Sequence, residues 1–237
     1  MQYLRSFVFT VFMMVTAMLF GAFMGICFWL PRHVQFAIGR SWARMIFWML
    51  DRLCGLRFSV TGRENIPPGN HIVMSNHTSA WETIAQFLLF PEQVWVLKRE
   101  LLWIPFVGWG LRVLHPIAID RGAGQKAVNQ VIEQGQERLA AGLWVIIFPE
   151  GTRVAPGKTR KYGISGALLA GASGRLIVPL SHDAVNYWTR RSLLKKPGTI
   201  HVVIGKPIDP AGKEPRQLNE EVRSAIEAGL ASMPAAG

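Results

Sequence analysis

The chain is short of cysteine and carries no metal or cofactor signature, and these shortages narrow what it can do. Only two cysteines occur in 237 residues, Cys27 inside an apolar run and Cys54 beyond it. Two cysteines so placed exclude a disulfide framework and a cysteine-rich metal cluster. The histidines never form His-Glu-x-x-His, so no metal is expected. The Gly-x-Ser-x-Gly elbow that presents a nucleophilic serine is missing, and neither cysteine reads as a nucleophile. "GAGQKA" at 122–127 lacks the spacing of a phosphate-binding loop and reads as the start of a helix.

Acidic residues are scarce too: 15 against 26 basic ones, a net charge of +11. No zinc finger, recognition helix or RNA-binding signature accompanies that charge, so no nucleic-acid partner is expected. An anionic membrane surface fits better, where each nearby basic residue contributes ~1 kcal/mol.

Charge is absent altogether from Ser6 to Pro31, "SFVFTVFMMVTAMLFGAFMGICFWLP", in a chain whose mean hydropathy is positive. At about 1.5 Å per helical residue, such a run crosses a hydrocarbon core of roughly 30 Å. A signal peptide would carry only ~7 to 15 apolar residues before a cleavage site of small residues, so a retained anchor is expected. Arg5 precedes the run, and Arg32, Arg40, Arg44 and Arg52 follow it. That bias puts the body of the protein on the cytoplasmic side of a cell membrane, the inner membrane if the source is bacterial. Residues 33–55 set Trp42, Met45, Ile46, Trp48, Met49 and Leu53 at helical spacing. This amphipathic helix either lies in the headgroup layer or packs on the protein's own core. The chain thus divides into an anchor, 1–55, with span 6–31 and helix 33–55, and a second domain, 56–237.

Beyond Cys54, short apolar runs at 56–62, 71–76, 93–98, 113–120, 143–149, 175–182 and 199–205 read as strands. Helices are expected at 79–90, 124–141, 161–173 and 215–233. This alternation predicts an α/β fold with a central mixed, largely parallel sheet flanked by helices. "LWVIIF" is apolar without alternation, as a strand covered on both faces should be.

Two segments carry chemistry. In "SNHTSAWET", 75–83, His77 and Glu82 are five residues apart. On one continuous helix their side chains would diverge, so they meet only if His77 precedes the helix and Glu82 sits in its first turn. Thr78 or Ser79 is a suitable cap, and Ser79-Ala80-Trp81-Glu82 also matches a capping box, a purely structural alternative. "FPEGTR", 148–153, follows the most apolar strand and leaves a carboxylate, a glycine and a guanidinium at the sheet's edge. Arg153 can grip a phosphate through two parallel hydrogen bonds, and Gly151 lets the backbone come close.

In order, "NHTSAWE", "LKRELLWIPFVGWGLRVLHPIAIDR", "FPEGTR" and "IVPLSH" resemble the motifs of the glycerolipid acyltransferases, most closely the bacterial 1-acylglycerol-3-phosphate acyltransferases. The resemblance runs from about Gly62 to Lys206. The family more often has aspartate where Glu82 stands. The resemblance implies that His77 is the general base and Glu82 its orienting acid, and that Lys98, Arg121, Glu150, Gly151, Thr152 and Arg153 bind the phosphate and glycerol. Asn76, Val178 and Pro179 are further candidates for the pocket. It implies an acyl-CoA or acyl-carrier-protein donor, no cofactor, and a lysophospholipid acceptor giving phosphatidic acid. Other acceptors, such as a lyso-ornithine lipid, another lysophospholipid or glycerol phosphate, stay open, as does a catalytically silent lipid-binding protein. "WIPFVGWG", 103–110, suits a membrane-facing loop or an acyl channel.

Overall fold

The uncharged N-terminal run forms one helix, α1 (Gln2–Ile26), and after a short turn α2 (Arg32–Cys54) begins. A computed structural model describes residues 1–234. Gly55, at φ +67°, closes α2 in the left-handed conformation that glycine adopts without steric cost. The chain then runs through β1 (Leu56–Thr61), β2 (Ile72–Ser75), α3 (Trp81–Leu89), β3 (Gln93–Lys98) and α4 (Val107–Val113). It continues with β4 (Ile117–Ile119), α5 (Gln125–Ala140), β5 (Trp144–Ile147), α6 (Ser165–Ser173), β6 (Ile177–His182), β7 (Gly198–Ile204) and α7 (Pro215–Ala231).

Among the described residues these strands make one seven-stranded sheet in the order β1-β7-β6-β2-β5-β3-β4. β6, β2, β5, β3 and β4 run parallel to one another, and β7 meets β6 antiparallel. This is the mixed, largely parallel sheet expected. The four residues of β2 and the four of β5 are all buried, because helices cover both faces. α5, α6 and α7 form one layer, and α1 to α4 the other.

The expected elements form, with shifted ends. Strand 113–120 shortens to Ile117–Ile119, because Val113 still belongs to α4. The helix expected from 161 starts only at Ser165: Gly163 N–H donates to Pro149 O at 2.7 Å and holds that stretch against the preceding loop. Of the two readings of α2, packing on the core describes one face, with Phe36, Ala43, Ile46, Phe47 and Leu50 buried. The opposite face leaves Trp48 exposed.

The boundary at residue 55 separates stretches of sequence, not cores. Phe9 and Met24 of α1 share one hydrophobic cluster with the sheet. Polar bonds fix the beginning of α1: Gln2 Nε2 donates to Lys195 O (2.6 Å) and Cys54 O (3.1 Å), and Lys195 Nζ donates to Thr10 Oγ1 at 2.6 Å. Its far end packs on α4, where a Cβ added to Gly21 would lie 2.5 Å from Phe106 O.

Candidate active site

The parallel strands deliver the motif residues to one edge. β2 ends just before Asn76 and His77, β5 just before the turn 148–153, β3 at Lys98, β4 two residues before Arg121, and β6 at His182. The carboxyl ends of parallel strands are where such sheets place ligands.

His77 lies in the loop before α3, and its Nδ1 is 2.8 Å from Glu82 Oε1. A carboxylate only accepts, so Nδ1–H donates and Nε2 carries the free lone pair. Glu82 is fully buried, yet Oε1 also accepts from the N–H groups of Thr78 (3.0 Å) and Ser79 (2.9 Å). α3 starts at Trp81, with Ala80 at the cap position, later than a cap at Thr78 or Ser79 would put it. Ser79 Oγ accepts from Trp81 N–H, two residues on rather than three. The capping alternative and the pairing with His77 therefore coexist. The longer arm of glutamate is accommodated, since its oxygen meets the imidazole at hydrogen-bond distance. Trp81 anchors this end of α3, its ring 5.9 Å from Phe47 and 5.5 Å from Phe58 between centroids.

Burial and neighbouring charges together set the protonation of the pair. Burial lowers the pKa of His77, and the charges of Arg153 and His182 act the same way against the opposing pull of Glu82. Burial by itself would raise Glu82, but His182, His77 and the Ser79 N–H outweigh it and leave the carboxyl lowered. The pair thus rests as an unprotonated base beside an ionised acid.

The turn 148–153 grips the backbone of His77. Glu150 Oε2 accepts from His77 N–H at 2.6 Å, and Val154 N–H donates to His77 O at 2.7 Å. Phe148 stacks on the imidazole with centroids 4.0 Å apart. Burial pushes the Glu150 carboxyl up to about 7. Gly151, at φ +70°, supplies the turn.

Cations gather beside this pair. Arg153 Nε is buried and has no hydrogen-bond partner among the described residues. Arg121 is lowered first by burial; Glu100 opposes this, while the charges of Arg153 and Arg160 add to it. Three guanidiniums thus crowd one region. Lys98 lies at the same edge, but its Nζ is engaged by Glu100 at 2.8 Å. Thr152 is half-buried in the turn. Val178 and Pro179 are buried inside β6 and pair with β2 in the sheet.

Sequence reasoning passed over His182, which is fully buried beside the pair. Its only local signal was its place at the end of the strand "RLIVPLSH". The roles of Phe148 and Val154 were equally hidden, because both act through the fold of the turn.

Comparison with known proteins gives this geometry a context. The sequence model of the Acyltransferase family matches residues 57–183. The 1-acyl-sn-glycerol-3-phosphate acyltransferase of Pseudomonas aeruginosa is 42% identical over 181 residues, 76% of this chain and 70% of that protein. The 1-acyl-sn-glycerol-3-phosphate acyltransferase alpha of Mus musculus is 28% identical over 176 residues, 73% of this chain and 62% of the mouse protein, less than two thirds of its length. In fold, the chain is similar to the crystal structure of the 1-acyl-sn-glycerophosphate acyltransferase from Thermotoga maritima. The TM-score is 0.81 at 24% identity, over 99% of this chain and 98% of that one.

Proposed function

The chain belongs to the acyltransferase family, and on that premise we propose that it transfers a fatty acyl group from a thioester to the free hydroxyl of 1-acylglycerol-3-phosphate, giving phosphatidic acid. It is an O-acyltransferase. The observation that carries the choice of machinery is the contact between His77 Nδ1 and buried Glu82, which leaves the Nε2 lone pair free to act as a base. Nε2 takes the proton of the lipid hydroxyl as its oxygen attacks the thioester carbonyl. The tetrahedral intermediate collapses, the C–S bond breaks, and the imidazolium returns the proton to the leaving thiolate. Glu82 holds the imidazole in the required tautomer and stabilises the imidazolium, the role of the acid in a Ser-His-Asp triad. No nucleophile from the protein is needed, because the acceptor supplies it.

A phosphomonoester carries about 1.5 to 2 negative charges near neutral pH. Arg153 and Arg121 match that charge, Arg153 with a buried donor that has no partner among the described residues. Lys98 is held by Glu100 and serves as a more distant member of the set. The donor is acyl-CoA or acyl-carrier protein.

The protein works at a membrane. α1 presents Leu4, Phe7, Met14, Val15 and Leu19 outward, and Trp103, Ile104, Phe106 and Trp109 are exposed beside its far end. An apolar surface that extensive marks a membrane or protein contact. The arginines that follow α1 favour the cytoplasmic side for the body of the protein.

The test offers purified protein a labelled acyl thioester with a panel of lysolipids and glycerol phosphate. Label should pass to lysophosphatidate in preference to the other acceptors. Preferred transfer to another lysolipid would refute the acceptor, and transfer to none would refute the function.

A further inference from the structure

The peptide bond that precedes the base is held at both poles by ionisable side chains. Its N–H, that of His77, donates to Glu150. Its carbonyl, that of Asn76, lies 2.9 Å from His182 Nε2. A carbonyl only accepts, so the His182 proton in this contact is on Nε2. Nδ1 of the same ring is buried and has no partner among the described residues, so the ring works through one nitrogen only. That is unlike a histidine kept only to fill space.

The remaining contacts of His182 converge on the same loop. Its main-chain N–H donates to Asn76 Oδ1 at 3.0 Å, and its carbonyl accepts from Asn76 Nδ2 at 2.9 Å. β6 and β2 are parallel neighbours with Leu180 beside Ser75, so the register puts His182 beside the turn into His77. On its other side, Nε2 stands 3.9 Å from Glu82 Oε2, the oxygen that does not bond His77. The ring also rests against Trp81, centroid to centroid 5.7 Å. One buried imidazole thus touches the loop that carries the base and the first residue of the helix that carries the acid, and it faces the acid itself.

We propose that His182 is a positioning residue for the His77–Glu82 pair: its Nε2–H fixes the Asn76–His77 peptide, and with it the direction in which the base presents Nε2. A peptide plane freed at its carbonyl would turn the imidazole relative to Glu82 and the acceptor hydroxyl, and displacements of about 1 Å are enough to slow such reactions by ~100-fold. This assignment rests on His77 being the base. It involves no contact between His182 and substrate.

Two variants separate this role from packing. Glutamine carries its Nε2 at the end of the same number of bonds and can donate to Asn76 O, whereas leucine fills the space and donates nothing. In labelled-thioester assays with lysophosphatidate, His182→Leu should lose at least ~10-fold in kcat with KM for both substrates within about twofold of wild type. His182→Gln should regain most of that loss. The His77 Nδ1–H proton, followed by NMR without substrate, should shift in His182→Leu and keep its wild-type position in His182→Gln. Equal losses in the two variants, a change confined to KM, or wild-type turnover in His182→Leu would each overturn the assignment. A wild-type protein that acylates no lysolipid would refute the proposed function instead, and the NMR comparison would then decide the role of His182 alone.

Discussion

At the scale of single residues, the proposed chemistry rests on a carboxylate that bonds an imidazole and two backbone amides at once. Glu82→Gln keeps an oxygen for the N–H groups of Thr78, Ser79 and His77 but removes the charge. Turnover should fall at least ~100-fold while the fold survives. Under the proposed mechanism activity needs unprotonated His77, so it is present above the pKa of that group and lost as pH falls through it. The Glu82 charge raises that pKa, so the variant's acidic limb should move to lower pH; a limb that stays in place, read from kcat/KM profiles, would contradict the pairing. Glu150 gives a second, independent titration. Burial holds it at about 7 against an ordinary 4.5, so between those values the folded state keeps a proton that the unfolded chain has released. Stability should therefore fall as pH rises through that window, by at most about 1.4 kcal/mol per pH unit. Glu150→Gln should lose that dependence, as denaturant titrations at about pH 5 and pH 7.5 would read; a constant difference from wild type would contradict the raised value. His77, Glu82 and Arg153 were legible because short motifs name them. His182 was not, because nothing local separates a buried histidine at a strand end from one that merely packs.

At the scale of elements, the least legible feature is how α1 and α4 meet. Phe106 adopts φ 63° and ψ −61°, and Val107 N–H bonds Pro105 O at 2.7 Å, a γ-turn that is strained for a residue with a side chain. Its carbonyl lies against Gly21 of α1, and a Cβ on Gly110 would come within 2.8 Å of Gly21 Cα. Glycines Gly21 and Gly25, four apart in "GAFMG", let the two backbones approach as closely as they do. Gly21→Leu should push α4 away at a cost of about 1 to 3 kcal/mol. A lowered melting temperature with altered fluorescence from Trp109 would record it; an unchanged melt would mean that the two helices do not depend on this contact. Periodicity gives the strands and long helices well, because burial on one face leaves a repeating pattern. It missed α4, only seven residues long, because too few turns are present for a pattern to show. Ser6 and Thr10, one turn apart in a largely apolar helix, tie α1 to the body through Lys195.

At the scale of the whole molecule, one sheet edge and one apolar flank explain the arrangement together. Five parallel strands bring His77, Arg153, Lys98, Arg121 and His182 to a common edge although they are far apart in sequence. α1 is bonded at its start to residues around Lys195 and packed at its end on α4, so it sits along the body that carries the site. A lipid acceptor and a lipid product both reside where that flank would be immersed. For His77 and Arg153 a short motif directly after a strand marked this edge in the sequence, whereas nothing local marked His182. How α1 sits on the body was not foretold, because it depends on long-range packing. The central claim is that His77 Nε2 removes the proton from the acceptor hydroxyl. Its most direct test is the rate of labelled acyl transfer to lysophosphatidate by His77→Ala beside wild type, both in the same lipid vesicles. A fall of at least ~100-fold, with the melting transition retained, is the predicted result. Transfer at near the wild-type rate would contradict it.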